Sequence, residues 1–176
     1  GLTMSMRRTF AVAASAAVGA SLLLSAQVST APAASAYVKH GRKYSGTNPT
    51  LYYQIGSTVG SARRTATNSG AGRWNAVAVP GTFTAWSSGK PVNVAITEWS
   101  AADTYEAVTS FSCSSGLYTS NKTTITWNSP SPGGIGSNTT ALRMVATHEF
   151  GHAYGLNHMS TTCNGTKTVM VQGKTK

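Results

Sequence analysis

The run from His148 to His158 reads His-Glu-Phe-Gly-His-Ala-Tyr-Gly-Leu-Asn-His, and it constrains this chain more than any other segment. His148 and His152 are four residues apart, so on a helix their imidazoles leave the same face one turn apart and can share one metal ion. Glu149 sits one step round that helix. It is too offset to be the natural third ligand, but it is within reach of a water held by the metal. Gly155 follows His152 by three residues and can take the left-handed conformation that ends a helix sharply. The chain can then double back and bring His158 to the same ion. The segment therefore demands a helix that stops at Gly155 and reverses at once. Three neutral histidines with a fourth position open to water form a catalytic zinc arrangement, whereas a structural site is closed and needs no base such as Glu149.

The start of the chain bears on where such a site would work. Arg7-Arg8 precedes a mostly apolar run from Phe10 to Leu24, and small residues lead to Ala34-Ser35-Ala36. This is the order of a secretory signal: basic n-region, apolar h-region and an Ala-x-Ala cleavage site, with cleavage expected after Ala36. The apolar run is short and alanine-rich for a membrane span, so no stable anchor is expected after cleavage. The twin arginine also fits the Tat route, although it occurs in ordinary Sec signals. Residues 1–36 are thus read as a signal peptide and residues 37–176 as one domain that is secreted and extracellular. Taking Arg7 and Arg8 from the formal net charge of +10 leaves +8. The basic residues are scattered and do not interleave with aromatics, so no nucleic-acid partner is expected. Charged residues are only 10% of the chain, which suits a loop-rich extracellular domain but decides little by itself.

Export also bears on Cys113 and Cys163, the only cysteines. An oxidising compartment favours one disulfide between them. It would close a loop of about 50 residues, worth roughly 4 kcal/mol in the chain-entropy model.

Coarse patterning predicts an α+β domain. Strand candidates are Leu51–Val59, Thr82–Trp86, Pro91–Trp99, an edge strand at Tyr105–Cys113, and Thr123–Asn128. A helix is expected over Ser61–Val79, weakened by Ser69-Gly70-Ala71-Gly72. Ser137 or Asn138 is placed to cap a last helix that carries Leu142, Val145, Ala146, Glu149 and Ala153. The expected architecture is a mostly consecutive sheet with helices packed on it.

The 148–158 run matches the metzincin signature His-Glu-x-x-His-x-x-Gly-x-x-His at every fixed position. The chain resembles the metzincin zinc metalloproteases, and among them the matrixin-type secreted bacterial peptidases, with the specific likeness over residues 142–171. The resemblance implies a twisted sheet above a cleft, a long helix in the N-terminal half, a zinc-binding active-site helix and a Met-turn below the metal. It implies one catalytic Zn2+ on His148, His152 and His158, with Glu149 as general base. Met170, in Val169-Met170-Val171, is the methionine placed to be the Met-turn, an apolar floor that does not ligate. Gln172 stands where some members place a zinc-facing tyrosine, so that fifth ligand is lacking, and Tyr154 is read as packing. The expected activity is endopeptidase cleavage of a protein or peptide substrate by a monomer.

Three departures from the family pattern stand out. Six residues follow Met170, so the domain is expected to be shortened at its C-terminus and to lack the family's C-terminal helix. No upstream cysteine is available as an inhibitory ligand. His40 and Asp103 are the only spare histidine and the only aspartate, so a second zinc has no evident ligands and calcium would have to rely on carbonyls and few carboxylates. The alternative function is a secreted basic protein that binds the cell envelope and carries a vestigial or structural zinc site. A missing base or ligand would mark it, and none is missing.

Overall fold

The computed structural model describes residues 41–100, 104–158 and 169–171. The elements run β1 (Thr50–Ile55), α1 (Ser61–Asn75), β2 (Thr82–Ala85), β3 (Val94–Trp99), β4 (Ala107–Ser114), β5 (Leu117–Asn128) and α2 (Thr139–Tyr154). This is an α+β fold with a mixed five-stranded sheet in the order β2-β1-β3-β5-β4. The β1–β2, β1–β3 and β3–β5 pairs are parallel, and only β4 runs antiparallel, against β5.

The expectation of a mostly consecutive sheet is corrected here. Only β1–β2 and β4–β5 are neighbours in both sequence and space, and β3 sits between β1 and β5. Parallel neighbours need a crossover and cannot be joined by a tight turn, which is why α1 lies between β1 and β2 in the chain. The one hairpin in the sheet, β4–β5, turns at Ser115-Gly116, both with positive φ, as a two-residue loop matching strand twist requires.

Register places the apolar residues on one face. Leu51 pairs with Phe83, Tyr53 with Val94, Ile96 with Ile125, and Ala107 with Trp127. All eight are buried, whereas Tyr52, Gln54, Thr84, Thr97 and Thr126 on the other face are partly or fully exposed. The buried face takes both helices. Phe150 of α2 meets Tyr53 and Phe83 edge-on at 5.7 and 4.8 Å between ring centroids. The Trp127 indole of β5 donates to Thr67 of α1 at 3.2 Å. Each fully buried side chain of this size contributes on the order of 1.5–3 kcal/mol.

The helices also pack on each other, and this explains the Ser-Gly-Ala-Gly stretch. Read alone it weakens a helix, yet α1 runs straight through it. A Cβ at Gly70 would come within 2.7 Å of the Ala146 Cβ and 2.9 Å of the Thr147 amide nitrogen. Glycine at this point lets the α2 backbone approach. Trp74, one turn later, donates its indole N–H to the Thr147 carbonyl at 2.8 Å and locks the crossing. The helix stops at Asn75, short of the expected Val79, because the Asn75 amide binds the backbone N–H and C=O of Phe83 at 2.9 and 2.7 Å and serves as a partner for the β2 edge.

Candidate metal centre

Helix α2 carries the site. Asn138 caps its start by accepting from the Ala141 amide at 3.0 Å. Gly155 ends it at φ 109°, ψ 17°, with the Leu156 amide returning to the Gly151 carbonyl at 3.0 Å. A left-handed residue followed by that long return bond closes the last turn and reverses the chain. Leu142, Ala146, Phe150 and Ala153 face the core, which fixes the helix's rotation and turns His148 and His152 towards the surface.

The three motif histidines converge. The Nε2 atoms of His148, His152 and His158 lie 3.0 Å from one another in every pair. Backbone carbonyls set the tautomers. His148 Nδ1 donates to the Val169 carbonyl at 2.7 Å and His152 Nδ1 to the Leu156 carbonyl at 2.8 Å. A carbonyl only accepts, so the proton of each neutral ring sits on Nδ1 and Nε2 is left with a bare lone pair. Burial pushes all three imidazoles below the usual histidine range and so favours the neutral form. The His148 and His152 lone pairs then face each other at 3.0 Å, an arrangement that repels unless a cation lies between them. The centre of a triangle with 3.0 Å sides is about 1.7 Å from each corner. A point ~2.0–2.1 Å from all three nitrogens, the zinc–imidazole distance, therefore lies about 1 Å out of their plane. The donor set fits a metal ion with three nitrogen ligands, and His158 is exposed on the open side. Among the described residues this is the one group of three or more His, Cys, Asp or Glu side chains placed to hold an ion.

Glu149 is buried beside this triangle. Its Oε2 accepts from the Thr109 hydroxyl at 2.6 Å. Thr109 pairs with Ile125 and so shares the helix-facing side of the sheet. Desolvation raises the Glu149 pKa, opposed by the Thr109 hydrogen bond and by the charge of His152. A carboxylate lifted this way moves towards the range in which a general base works near neutral pH. Met170 is fully buried against Gly151, between the two helical histidines in sequence. Tyr154 stacks on Trp74, with ring centroids 5.9 Å apart, and donates to the Pro80 carbonyl, which is the packing role expected of it.

Thr109 and the carbonyls of Leu156 and Val169 were not apparent from the motif. Nothing in the sequence marks a threonine on an alternating edge strand, or two main-chain oxygens, as supports for a site on another element. Cys113 lies exposed on β4 and forms no disulfide with another described residue, and Cys163, the partner expected for it, lies outside the described residues together with His40, Asp103 and Gln172. No protein-family model matches this chain, and no curated protein matches it.

Proposed function

We propose that this protein is a secreted zinc-dependent endopeptidase of the metzincin type, in which His148, His152 and His158 hold the ion and Glu149 is the general base. The observation that carries the reading is the 3.0 Å convergence of three Nε2 atoms, two of them made bare by carbonyl-bound Nδ1 protons, next to a buried carboxylate on the same helix. Imidazole donors in a set of three with an open side suit zinc better than calcium or magnesium, which prefer oxygen.

Zinc bound there would supply Lewis acidity and bring the pKa of a coordinated water towards about 7. The chain's own residues do the rest. Glu149 takes a proton from the attacking water and passes it to the leaving amine. Thr109 holds one carboxylate oxygen and fixes its rotation, which leaves the second oxygen for the proton. The Val169 and Leu156 carbonyls keep the imidazoles in the ligating tautomer. Met170 provides an apolar floor. Residues 1–36 supply the export signal in this reading. No helix among the described residues is long and apolar enough to cross a membrane.

A mixed peptide library tests the assignment. Peptide cleavage should stop with chelator and return with zinc. Cleavage that survives complete metal removal would contradict it.

A further inference from the structure

Tyr118 stands where regular alternation would not put it. Along β5, Thr123, Ile125 and Trp127 are buried against the helices, whereas Thr124 and Thr126 lie on the other face. Tyr118 is an odd number of positions from each of the buried three, so a regular strand would turn it away from α2. It is buried nonetheless, and its hydroxyl donates to the His152 carbonyl of α2 at 3.2 Å. An irregularity in the β4–β5 hairpin makes the switch. Phe111 pairs with Thr123 and Cys113 with Tyr118, so β4 advances by two residues while β5 advances by five. The three extra residues, an odd number, reverse the side-chain phase of β5. Ser120 and Asn121, at φ 55° and 54°, absorb the bend in the left-handed conformation, which non-glycine residues adopt at a cost. A bulge beside a functional site commonly serves to re-aim a side chain.

The N-terminal arm holds Tyr118 in that orientation. β3 pairs with β5 from Thr123 onward. Ahead of that point Lys43 bridges Leu117, giving its amide to the Gly116 carbonyl at 3.2 Å and taking the Tyr118 amide at 3.0 Å. Tyr44 from the arm and Phe111 from β4 pack on the Tyr118 ring, with centroids 4.8 and 5.2 Å away. The ring is thus clamped from two elements while its hydroxyl meets a third.

The carbonyl it meets belongs to a corner of the histidine triangle. His152 lies in the last turn of α2, where carbonyls lack partners within the helix. Its oxygen takes the Gly155 amide at 3.0 Å from inside the turn and the Tyr118 hydroxyl from the sheet. The same turn supplies the Leu156 carbonyl that holds the His152 ring, and His158 follows two residues later. We propose that Tyr118 is a positioning residue for the metal centre, tying the turn that carries His152 and His158 to the sheet, a role that rests on the zinc-site reading proposed above. Loss of the tie frees the turn and raises the ordering cost of bringing three nitrogens to one ion.

Co(II) added to the metal-free full chain tests this, because its visible absorption follows the geometry of its donors and its affinity is read without substrate. Tyr118→Phe keeps the ring and removes the hydroxyl. It should weaken Co(II) binding about tenfold, the lower end for supports of a ligating histidine, and alter the visible bands. Tyr44→Phe is the control, since it removes another buried hydroxyl, one bonded to Thr123 and to the Asn93 carbonyl. It should lower stability to urea and leave the Co(II) affinity and spectrum as they are in the unaltered chain. Fluorine labelling of the Tyr118 ring gives a reading that deletes nothing, and its signal should shift when zinc binds. Unchanged Co(II) affinity and spectrum in Tyr118→Phe, an equal change in Tyr44→Phe, or a fluorine signal indifferent to zinc would overturn the proposal and leave the metal site standing. An unaltered chain that binds neither ion would remove the metal-site reading and this role with it.

Discussion

The Met170 thioether fills the space that a side chain at Gly151 would need. Gly151 lies between Glu149 and His152, so Met170 and the helix that carries His148 and His152 are packed without a gap. Alanine at 151 would overlap the Met170 sulfur and come within 3.1 Å of the Trp74 ring. Gly151→Ala should therefore lower unfolding stability by about 1–3 kcal/mol through overpacking. Met170→Ala alone should cost about 2–5 kcal/mol through the cavity it leaves. The double variant should be more stable than the sum of the two losses, because each change relieves the other. Urea denaturation of the four proteins checks this, and strict additivity would contradict the contact.

In the proposed mechanism Thr109 acts through Glu149, whose carboxylate accepts a hydrogen bond from its hydroxyl at 2.6 Å. Thr109→Val should reduce kcat by about 10–100-fold, the usual cost of removing a support of this kind. KM and zinc content should change little, and Thr109→Ser should restore most of the rate because it keeps the hydroxyl. An equal loss in the serine variant would point to packing and not to the 2.6 Å hydrogen bond.

The helix crossing at Gly70 predicts a cost that composition would not suggest. Alanine normally stabilises a helix interior relative to glycine by roughly 0.5–1 kcal/mol. At Gly70 the added methyl would meet Ala146 and the Thr147 backbone below 3.0 Å, and backbone yields poorly. Gly70→Ala should be destabilising, whereas Gly72→Ala, with open space around its Cβ, should be neutral or stabilising. Melting temperatures of the two variants compare the effects directly.

High pH should weaken the fold. Tyr44 and Tyr118 pack edge-on at 4.8 Å, and burial raises both phenols well above their ordinary range. Tyr44 also hydrogen-bonds Thr123 and the Asn93 carbonyl. The folded-state pKa values exceed the unfolded value of about 10, so above that pH the unfolded chain releases protons that the folded chain keeps. Their contribution is complete below about pH 10 and is lost as pH rises towards the folded values. The urea midpoint should fall between pH 8 and pH 11. Tyr44→Phe should show a smaller fall, and an equal fall in that variant would contradict the assignment.

The sequence carried the local parts of this structure and not the long-range ones. Gly155 as a left-handed stop and Asn138 as a cap depend on short-range chemistry, and both stand where the spacing put them. Alternation places β3 and the second half of β5, and β1 and β2 stand within a few residues of the short runs read as strand candidates. Sheet order does not, because alternation says which face a residue takes but not which strand it sits beside. The Ser69–Gly72 stretch misleads for the same reason, since its glycine answers to α2, more than seventy residues away in the chain. At the site, three histidines at motif spacing predict their own convergence, whereas Thr109 reaches Glu149 only through the β4–β5 register.

The most direct test of the central claim is the zinc content and peptidase rate of Glu149→Gln beside the unaltered protein. One zinc per chain is expected in both. The rate should fall by about 10²–10⁴-fold in the variant, the span attributed to a general base. Near-normal turnover with glutamine at 149, or an unaltered protein that binds no zinc, would contradict the account.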